Sequence, residues 1–410
     1  MNKIKDKLKA LGPGLLFAGA AIGVSHLVQS TRAGADYGFS LLWALVIIHI
    51  VKYPFFQFGT RYANATGENL LQGYNRIHKG TLIGYFIINL ASIFTIQAAL
   101  TLVTAGIVMN ILNIHINPAI VSIIITAICA VILLVGRYQL LDKVMKYIVL
   151  TLTITTIAAL CIAIQKNVEP VSFLQKHHFE PTEVVFLIAF LGWMPAPLDV
   201  SIWQSLWSQE KQKDITTKSN LKSVLFDFNV GYFFTLLLGI CFLSMGALVM
   251  YNSGTVFQNG ALGFSKQLIE MYTQNIGGAS FIFIAVAAFT TMFSTTLTAL
   301  DASSRTMETT LNLLQDNPSK KTYLYWLIAL AIGTILIISF FTDQMLTLIK
   351  VATVIGFLTT PFFAVLNYTL ITSKHTPKTH QPSLGLKILS WIGIAFLTGF
   401  SIWYVSTLFM

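Results

Sequence analysis

The chain has 410 residues, of which 55% are hydrophobic and 10% charged. A soluble domain carries about 25% charged residues, so a water-facing surface is excluded and lipid is the expected solvent. The formal charge of +10 is no nucleic-acid footprint, because Lys and Arg sit in short loops between long apolar runs.

About eleven runs approach or exceed the roughly 20 residues that cross a bilayer. Numbered in order, they are 11–36, 40–62, 82–112, 117–136, 144–165, 182–207, 222–251, 278–303, 322–341, 344–371 and 385–409. The first is too long for a cleavable signal peptide and lacks a small-residue cleavage site. Positive charge concentrates in alternate loops: Lys3, Lys5, Lys7 and Lys9, then Arg76 and Lys79, then Arg137, Lys143 and Lys146. Lys211, Lys213, Lys218, Lys222, Lys320, Lys321, Lys374, Lys378 and Lys387 follow on the same side, against Lys166, Lys176 and Lys266 opposite. This pattern places the N-terminus in the cytoplasm of an inner-membrane protein and, with an odd number of spans, the C-terminus outside.

Run 1 is interrupted at Gly23-Val24-Ser25-His26, where a membrane helix ordinarily carries only aliphatic residues. Arg32, near its end, is placed to snorkel. Run 2 adds His49 and Lys52 in its interior. Ionisable groups inside spans usually face the bundle and mark pathways. Run 6 carries "GWMPAP" (192–197); Pro195 and Pro197 open that helix because proline lacks the N–H and clashes with the preceding turn. Asp199 lies just beyond. Asp227 and Asn229 in run 7 are polar without an assigned task, and 263–274 reads as a short amphipathic helix. Thr353 of run 10 joins the candidate pathway residues. Cys129, Cys161 and Cys241 lie in apolar runs and suggest neither disulfides nor zinc.

Runs 1 and 6 open two successive five-span sets, which an odd count inserts in opposite orientations. Broken helices at matching places in inverted repeats mark the binding site of a secondary transporter. The expected organisation is one transmembrane domain over 1–410, with repeats about 11–165 and 182–371 and an extra helix 385–409.

Four stretches carry a family resemblance. "GPGLLFAGAAIGVSHLVQSTRAGADYGFSLLW" (12–43), "RYANATGENLLQGY" (61–74), "GRYQLLDKVMK" (136–146) and "MFSTTLTALDASSRTMETTL" (292–311) resemble the Nramp family of divalent-metal transporters. The resemblance implies an all-α fold of the LeuT type, a 5+5 inverted repeat with helices 1 and 6 broken, and alternating access. It also exposes departures. The family's first break, Asp-Pro-Gly-Asn, here falls on Gly23, Val24, Ser25 and His26; its Met-Pro-His becomes Met194, Pro195 and Ala196. Its acidic pair in the third span falls on Ala98 and Thr101, and its ninth-span arginines have no counterpart in 323–333.

Without the break aspartate, a dication lacks the carboxylate it usually needs. The half-helices starting near Ser25 and Pro195 instead present N-terminal N–H groups to the midplane. The candidate substrate site is therefore Gly23, Ser25, His26, Met194, Pro195 and Ala196, with His49, Lys52, Asp199 and Thr353 along the pathway. Lys52 has the alternative of a structural ion pair with Asp199 or Asp301. The leading cargo is a small anion such as bicarbonate or a small carboxylate, moved with a coupling proton or cation. A divalent-metal carrier for magnesium or manganese is the alternative, and a non-transporting membrane sensor a third. The pattern holds no nucleophile–base pair or nucleotide loop, so an enzyme is not expected, and neither is a resident metal, a cofactor or a nucleic-acid partner.

Overall fold

Inside lipid every backbone polar group must be paired within the chain, so long apolar runs become helices. The computed structural model describes residues 12–166, 181–213, 220–251, 257–277, 281–315, 319 and 321–407. Lys3, Lys5, Lys7 and Lys9, and much of the loops at 166–181 and 208–221, lie outside the described residues. In chain order the helices are α1 (Pro13–Ala21), α2 (Ser25–Tyr37), α3 (Leu42–Thr66), α4 (Leu70–Ile77), α5 (Lys79–Ile111), α6 (Pro118–Lys166), α7 (Pro181–Trp193) and α8 (Val200–Lys213). They continue with α9 (Leu221–Val249), α10 (Ala261–Ile276), α11 (Phe281–Leu314), α12 (Thr322–Phe341), α13 (Met345–Leu358), α14 (Thr360–Thr372) and α15 (Leu384–Thr407).

Among the described residues nine helices are long and apolar enough to cross a membrane, and α1 with α2 makes a tenth span, bent by 48°. Run 6 is two shorter helices, α7 and α8, on either side of residues 194–199. Large side chains such as Val135 (80% exposed) and Phe340 (82%) cover the outside; this is a multi-pass membrane protein whose solvent is lipid. Runs 4 and 5 differ from expectation: 136–146 is helical, and α6 continues through both. The stretch holds one glycine and no proline, and residues such as Leu, Lys, Gln and Met favour helix.

Run 1 is central. Proline starts α1 at its first position, where the missing N–H costs nothing. Its first N–H groups find a carboxylate: Gly12 and Gly14 donate to Asp227 of α9 at 2.9 and 2.8 Å. Alongside, α1 and α9 approach so closely that a Cβ on Gly14 would meet the Asp227 backbone and one on Gly231 would meet the Gly14 backbone. Gly34 and Gly246 make the same kind of approach between α2 and α9. Small residues of this kind let membrane helices pack backbone to backbone. The other turns follow local rules: Gly67 ends α3 with φ +76°, as a left-handed C-cap, and Asn69 with Gln72 forms a capping box at α4.

Candidate functional site

The two breaks meet in the interior. α1 ends when Gly23 N–H bonds Ala21 at 3.0 Å, and α2 begins as a π-turn over Ser25–Ser30. Widened turns of this kind are frequent at functional sites. Thr295 of α11 reaches the exposed end of α1, its hydroxyl 3.1 Å from Gly19 O and 3.2 Å from Ile22 O. Carbonyls freed by the break are thus met by a hydroxyl within the bundle, as membrane depth requires.

Between the breaks lies a small cavity of about 30 Å³. Such a space holds one or two waters. Its wall includes Gly23, Val24 and Ser25 from run 1, and Trp193, Ala196, Asp199 and Trp203 from run 6. Ile96, Leu100, Thr295 and Ala299 also line it. Most of this wall is aliphatic or indole. Asp199 is its one charged residue, 7% exposed, and its Oδ1 has no hydrogen-bond partner. Asp199 directly precedes Val200, where α8 starts. A built-in anion therefore already offsets the positive end of α8.

Lys52 is fully buried and donates to the carbonyls of Leu191, Gly192 and Ala196 at 2.9, 2.7 and 3.2 Å. The expected alternative ion pair is not made: Asp301 is bound by Arg305 and Tyr323 instead, and Asp199 interacts with Lys52 only electrostatically.

His26 is fully buried, with Nε2 2.9 Å from Thr235 O and Nδ1 2.7 Å from Ser25 Oγ. A carbonyl only accepts, so Nε2 carries a hydrogen. The Ser25 hydroxyl has one hydrogen and three acceptors in reach: Nδ1, Ala21 O at 2.6 Å and Pro195 O at 3.3 Å. A neutral ring takes that hydrogen at Nδ1. A charged ring donates to Ser25, which then donates to Ala21 O. A proton added to His26 would therefore change which acceptor the Ser25 hydroxyl serves.

Of the ten candidate residues, Gly23, Ser25, Ala196 and Asp199 line the cavity. His26 and Met194 stand outside its wall; the Met194 sulfur faces Ser30 Oγ at 3.8 Å. Pro195 contributes its carbonyl near Ser25. His49 donates from Nδ1 to Leu45 O at 2.7 Å, and its Nε2 is buried without a partner. Thr353 bonds carbonyls of its own helix, while its carbonyl abuts Gly192. Arg32 lies apart, over the Phe186 ring and 3.8 Å from Asp36, beside a wider cavity of about 320 Å³. Trp193, Trp203, Ile96, Leu100 and Thr295 were not among the candidates. The two tryptophans flank the run-6 break closely in the chain, and that clustering was the available signal. Among the described residues no group of three or more His, Cys, Asp or Glu is placed to hold a metal ion.

A multi-pass bundle with helices 1 and 6 broken around a shared interior cavity is the architecture of a LeuT-type secondary transporter. The sequence pattern of the Nramp family, described as natural resistance-associated macrophage protein-like, matches residues 14–407, and the chain belongs to that family of transporters, which are not enzymes. An uncharacterized protein of Pasteurella multocida (strain Pm70) is 36% identical over 98% of this chain and 93% of its own. In fold, the chain is similar to a manganese transporter of Eremococcus coleocola, with a TM-score of 0.78 at 17% identity, over 98% of this chain and 87% of that one. The nucleobase-cation-symport-1 transporter Mhp1 matches at TM-score 0.62 and 15% identity, over 97% and 93% of the two chains. MhsT, solved with L-phenylalanine, matches at 0.66 and 12%, over 95% and 98%.

Proposed function

We propose that the chain is a secondary transporter whose cargo is a small carboxylate, carried with a proton by alternating access around the two breaks. The observation that carries this reading is the wall of the break cavity. A bare dication needs several oxygen, nitrogen or sulfur ligands. Here the carbonyls of Leu191, Gly192 and Ala196 are engaged by Lys52, Met194 is turned to Ser30, and among the wall's side chains Asp199 supplies the one carboxylate, its Oδ1 unpartnered. An organic solute suits that wall better. Its apolar body would rest on Ile96, Leu100, Trp193 and Trp203, and its carboxylate on the start of α2 at Val24 and Ser25, where helix N–H groups favour anions.

Charge balance supplies the coupling. Lys52 and Asp199 sum to zero, and a carboxylate entering alone would leave an unpaired charge in low dielectric, which costs several kcal/mol. One proton entering with it, taken by Asp199 or by His26, restores neutrality. The cavity is small, so cargo enters when the two halves separate. Bicarbonate, an inorganic anion, is the smaller candidate of the same charge. The manganese transport of the Eremococcus coleocola protein makes a metal the rival cargo.

The test is uptake into proteoliposomes of labelled bicarbonate, small monocarboxylates and manganese, with and without an imposed proton gradient. Saturable, gradient-driven carboxylate uptake is the expected result. Saturable manganese uptake with no carboxylate uptake would overturn it, and binding without flux would indicate a sensor.

A further inference from the structure

A lysine that is 0% exposed at membrane depth is expensive and is kept only where its charge is used. An ammonium has three N–H donors and no acceptor, and Lys52 finds three carbonyls, those of Leu191, Gly192 and Ala196, between 2.7 and 3.2 Å. Every donor is satisfied, and no carboxylate shares the seat. Two of those carbonyls belong to the last turn of α7, the negative end of a half-helix; the third, of Ala196, lies within the break. Three converging oxygens at a helix C-terminus, deep in a bundle, are also what a free monovalent cation would seek. Asp199, just before α8, interacts electrostatically with Lys52 and adds to the attraction for positive charge there.

We propose that Lys52 is a tethered cation that fills this carbonyl seat at the run-6 break and shuts free cations out of it. Run 2 thereby supplies, as a side chain, a charge that would otherwise have to be captured from solution in each cycle. Two consequences follow. Metal is denied the backbone oxygens of run 6, which makes Lys52 a specificity-determining residue. The break is also held by an arm from α3 that must slide or let go when α7 moves. This inference goes beyond the cargo reading and stands whether the cargo is a carboxylate or not.

The experiment needs no cargo. Melting temperatures of the full-length protein in detergent are compared in choline, sodium and propylammonium chlorides at equal ionic strength. Propylammonium replaces the atoms that Lys52→Ala removes; choline is too bulky for the seat. The wild type is expected to melt at one temperature in all three salts. Lys52→Ala should melt several degrees lower in choline and regain at least half of the loss in propylammonium or sodium. Lys52→Gln keeps two N–H donors without the charge and should remain low in every salt. Lys52→Ala indifferent to the salt, or Lys52→Gln as stable as the wild type, would reduce Lys52 to an ordinary helix cap and overturn the proposal. Should Lys52→Ala not fold, Lys52→Gln decides. A negative uptake result would sink the cargo reading and leave this measurement untouched.

Discussion

Asp199 and Ser25 reach one cavity from two broken helices, and they differ in what they can give up. Asp199 Oδ1 has no partner, so replacing the carboxylate by an amide removes charge without breaking an existing bond at that oxygen. Asp199→Asn is expected to cut proton-driven carboxylate uptake by more than about tenfold, the equivalent of ~1.4 kcal/mol, with little change in melting temperature. Uptake and melting measured on one preparation would separate the two effects. His26 is tied differently, between Ser25 and Thr235. Its removal withdraws a second donor from the Thr235 carbonyl and frees Ser25 to rotate. Ser25 lines the cavity, so His26→Ala, by releasing that hydroxyl, should weaken cargo binding about tenfold, the equivalent of ~1.4 kcal/mol. Unchanged half-saturation in the mutant would remove His26 from the mechanism.

At the scale of elements, run 1 owes its position to α9. Asp227 holds the N–H groups of Gly12 and Gly14, a cap supplied from another helix. Losing it leaves donors unpaired in a buried place, and Asp227→Ala should cost about 1–3 kcal/mol, read as a lower melting temperature. Glycines sort the same way. Gly231 touches the Gly14 backbone, whereas Gly385 has nothing within 4 Å of a built Cβ. Gly231→Ala is therefore expected to destabilise strongly, since neither backbone can yield. Gly385→Ala should be neutral or slightly stabilising, because alanine favours helix over glycine by about 1 kcal/mol. Equal effects of the two changes would mean that α1 and α9 separate more readily than their contact implies.

For the whole molecule, the Lys and Arg asymmetry sets an expected orientation that labelling can check. Cysteines introduced as Lys213→Cys and Gly260→Cys should differ in intact cells, with position 260 reached by an impermeant reagent and position 213 protected. The reverse pattern would invert the topology. What was legible in the sequence was legible because lipid imposes simple rules: apolar length sets the spans, and Pro195, Pro197 and the Gly23–His26 interruption mark where helices open. The same residues made the run-1 and run-6 breaks the candidate site. The stretch between runs 4 and 5, expected as a loop, is helical, because its helix propensity outweighs its polarity. Bonds between distant residues were out of reach. Nothing in the order of residues says that Lys52 meets carbonyls 139 to 144 positions away, or that Asp227 caps Gly12 and Gly14. Periodicity and composition determine which segments enter the membrane and where they break. Only the tertiary packing decides which polar group satisfies which freed carbonyl, because a buried donor takes whatever acceptor the folded bundle brings within reach.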